Sequence, residues 1–280
     1  MVQPAPGLIQ PFVHKENDMP NLTIQFIDGI ATIVLNRPPQ NRIDDQLVDE
    51  LAAAVTAIES SDARAVVLRS EGNDFSFGGD ILEWPDATVH ELRARFEHYM
   101  SVFNRFERLP MPVIAAVHGL CFGGGLELAL RADVIFAAES ATFGHPEQTL
   151  GIVTVLGGIY RMAERAGRSR ASEWAITSEK VPAATMAHFG IVNHVVADDK
   201  LRQESMAFAE KCARGPTRAY AAHKALLRAW AIGGVAAADD AMLDIAMPLF
   251  ETEDARRGIQ SAVDALKSGR PRPVLEFKGR

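Results

Sequence analysis

The sequence predicts an α/β fold that gives way to helices alone near its C-terminus. Three observations predict it. Strand-like and helix-like stretches alternate between residues 21 and 137. Two of the strands, Ala65–Arg69 (AVVLR) and Pro112–Val117 (PVIAAV), are apolar runs, as a sheet covered on both faces requires. Beyond about Lys200 only amphipathic helical stretches follow, at Leu201–Arg214, Pro216–Trp230, Val235–Glu251 and Thr252–Ser268.

Taken in order, residues 1–20 read as a flexible tail: they carry prolines and a polar stretch, and lack a signal-peptide core. Asn21–Phe26 and Ile30–Leu35 make a hairpin around the Asp28-Gly29 turn signal. Asp44 or Asp45 caps a helix to about Ser60, with Leu47, Leu51, Val55 and Ile58 on one face. The Ala65 strand leads into a glycine loop, Glu71–Gly79, and a helix over His90–Glu107 follows. The Pro112 strand leads into the sequence CFGGGLELAL at Cys121–Leu130, and a short strand lies at Val134–Ala137. These signals divide the chain into the tail, a core at 21–199 and a helical segment at 200–280.

The 280 residues, 48% of them hydrophobic, suffice for a large core and exclude disorder over most of the length. A net charge of −7 argues against nucleic acid as a partner. The two cysteines cannot frame a disulfide scaffold, and no apolar run reaches the ~20 residues of a membrane span. The expectation is a cytoplasmic, enzyme-sized protein. No HExxH or CxxC spacing occurs, so no metal is expected.

Candidate chemistry lies in two glycine loops and two acids. Gly123–Gly125 fits neither GxGxxG nor a P-loop. Either its backbone N–H groups face a polar ligand atom, or the glycines only let helix pack on sheet. A second loop, Phe77-Gly78-Gly79-Asp80, also follows an apolar strand. Two such loops can offer one N–H each to a carbonyl oxygen and stabilise charge there. Glu127 sits between leucines, costly unless paired or functional, although an exposed helix side would also house it. Glu147 follows His145-Pro146 in a glycine-flanked loop; taken alone, it reads as plain surface. Two acids in apolar surroundings suit paired acid–base work. His118 and Cys121 lack an orienting third group, so Cys121 reads as a buried structural thiol. Ser76 lacks the GxSxG elbow.

Together these residues resemble the crotonase superfamily, whose best-known members are enoyl-CoA hydratases. The matching stretches are NRPPQN at Asn36–Asn41, FSFGGDI at Phe75–Ile81, AAVHGLCFGGGLELALRAD at Ala115–Asp133 and ATFGHPEQTLGI at Ala141–Ile152. They occur in order with family-like spacing, over about Asn21 to Lys267. The resemblance implies a spiral of ββα turns and a helical C-terminal segment that builds trimers or hexamers. It implies an acyl-CoA substrate, with coenzyme A brought by the substrate and no separate cofactor. Gly79 and Gly124 N–H would grip the thioester oxygen. Glu127 would activate water and protonated Glu147 would serve the α-carbon.

Expected acyl-group and loop contacts are Phe77, Gly78, Asp80, Ile81, Leu82, Trp84 and Gly123, with Val155 and Leu156 opposite; Trp84 reads equally as core. Arg37, Arg42, Lys267 and Lys278 are candidate CoA contacts. Val155 stands where relatives often carry glycine, which narrows the pocket, and where dienoyl-CoA isomerases and aromatic acyl-CoA dehalogenases carry aspartate. Arg42 and Phe77 also replace commonly small residues. Keeping both acids favours a hydratase over a single-glutamate isomerase. A non-catalytic scaffold of this fold and a dinucleotide-dependent oxidoreductase are the readings from other classes.

Overall fold

The chain enters the fold through the hairpin. The computed structural model describes residues 20–280, so the expected tail lies almost wholly outside the described residues. β1 (Leu22–Ile27) and β2 (Ile30–Leu35) pair antiparallel, Leu22 opposite Leu35. Asp28 and Gly29 both take positive φ, 50° and 76°, the conformation that closes a two-residue turn matched to strand twist. From β2 onward the sheet is parallel. It adds β3 (Ala65–Ser70), β4 (Val113–Val117), β6 (Val134–Ala138) and β9 (His194–Val196), in the order β1-β2-β3-β4-β6-β9. A second, three-stranded sheet joins β5 (Leu120–Phe122), β7 (Thr142–Gly144) and β8 (Val181–Pro182). This is a mixed α/β architecture of successive strand–helix turns.

The helices form where caps and apolar stripes coincide. α1 (Asp45–Glu59) starts at Asp44, whose carboxylate accepts the Leu47 N–H at 2.9 Å, and buries Leu47, Val48, Leu51, Ala54, Val55 and Ile58. α2 (Val89–Glu107) starts with a reciprocal capping box between Thr88 and Glu91 and buries Tyr99, Val102, Phe103 and Phe106. α3 (Gly124–Ala129) is a short helix with every residue buried. The stretch 138–199, left unassigned by pattern, holds β7, β8 and β9 and three helices, α4 (Gly158–Ala166), α5 (Arg168–Thr177) and α6 (Ala183–His188).

The C-terminal segment is helical: α7 (Leu201–Ala213), α8 (Thr217–Ala246) and α9 (Glu253–Ser268). The two helices expected either side of residues 231–234 form the arms of α8, broken at Gly233 and Gly234. No residue of α8 is buried. The last residues run back along α9. The buried Asp254 carboxylate accepts the N–H groups of Lys278 and Gly279 at 2.8 and 2.7 Å, and Phe277 N–H reaches Arg214 O.

Candidate active site

Asn41 ties the first glycine loop in place. Its side-chain amide donates to Glu71 O and Asp74 O, both at 2.8 Å, and its side-chain oxygen accepts from Arg37 N–H. Ser76 hydroxyl donates to Asn41 O at 2.7 Å and accepts the Gly78 N–H. Ile43 then pairs across Gly79 through its neighbours: Ile43 N–H donates to Gly78 O, and Asp80 N–H donates to Ile43 O. That pattern turns the Gly79 N–H away from Ile43.

The three consecutive glycines have three different jobs. A Cβ on Gly125 would lie 2.6 Å from Ser76 Cβ and from Ser76 O, so Gly125 lets α3 press onto the first loop. Gly124 opens α3, and the first N–H of a helix has no carbonyl one turn earlier to bond. A Cβ on Gly124 would lie 3.5 Å from the Gly79 nitrogen, so the two amides share one small region. Gly123, at φ 50°, leaves room for an acid: a Cβ there would be 2.9 Å from Glu147 Oε1. The packing reading of this run therefore holds at Gly125, and Gly124 is left with its N–H beside that of Gly79 at the cavity.

Glu127 lies within the first turn of α3 and is 2% exposed. Its Oε1 accepts two backbone N–H groups at 2.8 Å, from Leu156 and from Gly158. Burial pushes its carboxyl up; the Gly158 and Leu156 amides, and the charges of Arg131 and Arg161, pull it back without reversing the rise. Glu147 sits in the 3₁₀ turn Pro146–Leu150. Its Oε2 has no hydrogen-bond partner among the described residues and lies 3.8 Å from His145 Nδ1. Burial pushes Glu147 up to about 7, and the Glu127 charge adds to the rise. His145 is itself buried with neither ring nitrogen bonded, and burial pushes it down to about 4.

Glu127, Glu147, Gly79 and Gly124 face a cavity of about 300 Å³, at the small end of ligand pockets. Of the residues singled out by sequence, Phe77, Gly79, Ile81, Trp84, Gly123, Gly124, Glu127, Glu147, Val155, Leu156 and Arg42 line it. The half-buried Trp84 indole covers Gly79 and meets Phe96 edge-on at 5.3 Å, so it forms cavity wall backed by Phe96. Arg42 lies over the Phe77 ring, 4.9 Å from its centroid.

Other expected contacts lie elsewhere. Leu82 is corrected: it is 82% exposed and outside the cavity, because the irregular segment after Ile81 turns it to solvent. Gly78 sits behind the wall, where a Cβ would be 2.8 Å from Phe122 O. Asp80 binds Arg37 at 2.8 Å, and Arg37 also pairs with Asp44 at 3.2 Å, so its charge is matched locally. Lys278 pairs with Glu253 at 2.7 Å on the tail, and Lys267 is exposed in the last turn of α9.

Sequence reasoning missed Arg131 and His145. Arg131 is a charge in the apolar run LELALRAD, the same signal that exposes Glu127 four residues earlier. His145 precedes Pro146-Glu147 with no spacing motif to mark it. Among the described residues no cluster of three His, Cys, Asp or Glu side chains is placed to hold a metal ion.

Two amides converging on a cavity that also holds one buried and one half-buried acid, on a parallel-stranded spiral, mark the crotonase superfamily. The chain belongs to the enoyl-CoA hydratase/isomerase family, whose model matches residues 25–268. It is similar to a mevalonyl-coenzyme A hydratase of Beauveria bassiana, 34% identical over 250 residues, 84% of each chain. It is 37% identical over 205 residues to the Mycobacterium tuberculosis protein named (7aS)-7a-methyl-1,5-dioxo-2,3,5,6,7,7a-hexahydro-1H-indene-carboxyl-CoA hydrolase, covering 71% of this chain and 80% of that one. The crystal structure of an enoyl-CoA hydratase from Bacillus anthracis superimposes with a TM-score of 0.83 at 28% identity, over 93% of this chain and 100% of that one.

Proposed function

We propose that this protein hydrates a trans-2-enoyl-CoA to the 3-hydroxyacyl-CoA. The observation that carries the reading is the asymmetry of two acids on one cavity: Glu127 is clamped by two amides, whereas Glu147 is unclamped at Oε2 and close to half-protonated at neutral pH. The thioester oxygen would accept from Gly79 and Gly124 N–H. Water oxygen bonds to the β-carbon as Glu127 carboxylate takes a water proton. The π electrons move toward the thioester oxygen, where the two amides stabilise the charge. Glu147, as the neutral acid, delivers its proton to the α-carbon. The two carboxyls end with protonation exchanged and reset through solvent.

Substrate is read more coarsely than reaction. Ile81, Trp84, Val155 and Leu156 offer an apolar wall to the acyl group, and Arg42 offers a cation at the rim. One relative is named as a hydrolase of a bicyclic carboxyl-CoA, so ring-bearing esters belong in the test beside short, medium and branched enoyl-CoAs. The experiment is that activity panel, with the 3-hydroxyacyl-CoA identified as product. No hydration of any member would reject the reading.

Self-association fits the same reading. α8 carries Leu227, Ile232, Val235 and Leu243 on its surface, with Met247 and Phe250 beyond, an apolar expanse that one copy leaves uncovered. A homotrimer, or a hexamer of two trimers, would cover it.

A further inference from the structure

Beneath Glu127 lies an ionic cluster, built on the buried Arg131, that does not itself reach the cavity. Arg131, one turn along from Glu127, has a side chain with 0% exposure. One guanidinium nitrogen donates to Asn104 and, at 2.8 Å, to Glu107 Oε2. The other donates to Leu156 O at 2.6 Å. Arg161, on α4, grips Glu107 with two bonds, 2.8 Å to Oε1 and 2.6 Å to Oε2, and donates to Gly157 O at 3.2 Å. The two guanidiniums thus hold the carbonyls of Leu156 and Gly157. The Leu156 N–H and the Gly158 N–H are the two donors that hold Glu127.

Charge balance makes the arrangement more than packing. Arg131 and Arg161 bring two positive charges and Glu107 one negative charge. An ionised Glu127 supplies a second negative charge beside these two guanidiniums, while the neighbouring Arg165 has Asp133 and Glu164 near it. Burying an unmatched guanidinium is expensive, so the cluster favours the ionised form of Glu127. Glu147, on the far wall, has no such cation beside it. His145 approaches Glu127 across Gly158, while Tyr160, Glu164 and Arg165 of α4, with Asp133 beside Arg165, are the other ionisable groups near the cluster.

We propose that Arg131 is a positioning residue of this site: through Leu156, whose carbonyl it holds, and with Arg161 and Glu107, it fixes the Glu127 carboxyl and favours its charged form. The inference rests on the acid–base reading above for its use, but not for its test. The Leu156 and Gly158 amides donate to Glu127, so their NMR shifts follow its protonation in the free protein, with no substrate present. Arg131→Met should move that titration midpoint up by about one unit, the lower end of what one nearby opposite charge does. Glu107→Gln removes the competing anion and should move it down. Opposite movements separate this role from a merely structural one, which would shift both variants the same way. If Arg131→Met does not fold, the direction in Glu107→Gln decides.

Midpoints that stay put, or that both rise, overturn the inference. If the midpoints move as stated while the wild type hydrates no enoyl-CoA, Arg131 keeps its role and the proposed reaction falls. Where activity is present, the acidic limb of kcat/KM should shift with each variant in the same direction as the amide titration.

Discussion

Glu127 and Glu147 line one cavity but stand in opposite surroundings. Two amides at 2.8 Å hold one oxygen of Glu127, with two guanidiniums behind them, while Glu147 Oε2 has no hydrogen-bond partner among the described residues and lies 3.8 Å from the buried His145 ring. A clamped acid and a loose one make a natural base and acid. Replacing either by Gln should lower kcat by on the order of 10²–10⁴, with binding of a CoA ester retained. Steady-state kinetics with the preferred enoyl-CoA measure it. Losses of less than about tenfold in both variants, well under that range, would remove the assignment.

Glu147 and His145 should give stability opposite pH slopes. The Glu147 carboxyl is raised from 4.5 to about 7, so the folded state holds its proton where the unfolded chain has released it. Its contribution is full below about 4.5 and is lost as pH rises through about 7. His145 is lowered from 6.5 to about 4, so its contribution is full above about 6.5 and is lost as pH falls toward about 4. Denaturant unfolding across this range should show Glu147→Gln losing the decline toward neutral pH and His145→Gln losing the acid decline. Unchanged slopes would refute both placements.

The two glycines that flank Gly124 should fail differently. Gly123→Ala places a methyl 2.9 Å from Glu147 Oε1 at a φ of 50°, so it should displace the acid and cut kcat while unfolding stays cooperative. Gly125→Ala drives a methyl into Ser76 at 2.6 Å, backbone oxygen included, and should cost about 1–3 kcal/mol of stability or more. Melting curves and kcat for the pair distinguish the two roles. Equal destabilisation by both, with kcat intact, would contradict them.

The acyl wall predicts a chain-length cutoff. Val155 and Phe96 stand between the cavity and a larger open apolar groove of about 800 Å³ along α2, which Val89, Leu92 and Met100 line. Trp84→Ala and Val155→Gly should each shift kcat/KM toward longer acyl groups, by about 1–3 kcal/mol per methylene newly accommodated. A profile that does not move in either variant would return Trp84 to a purely structural role.

The exposed face of α8 predicts the oligomer. Sedimentation at micromolar concentration should show a trimer or hexamer, and Leu227→Asp with Ile232→Asp should dissociate it. A wild-type monomer would end the proposal.

The fold was most legible where a single local signal settles a conformation. Asp28-Gly29 announces the hairpin, Asp44 caps α1, and AVVL and VIAAV declare buried strands. The stretch 138–199 was not legible, since β7, β8 and β9 are only two or three residues long and leave no periodicity to read. α4 begins after Gly157 with no side-chain cap to announce it. At the site, Glu127 stood out as an acid in an oily run, and Arg131 was overlooked in that same run because its carboxylate partner is 24 residues away on α2. Leu82 misled because proximity to Gly79 in sequence says nothing about direction once the chain leaves regular structure.

The strand order carries a kinetic consequence. Gly79 follows β3, Gly124 and Glu127 follow β5, Glu147 follows β7, and the amides that hold Glu127 come later still, at the start of α4. Each turn of the chain delivers one part of the site, and parallel pairing of this kind must close long loops before any contact rewards it. Catalytic competence should therefore be among the last properties acquired in refolding, trailing the recovery of helical circular dichroism. No early, half-wound species would hold both acids and both amides at once, so restored turnover can serve as a clock for the final turn of the spiral.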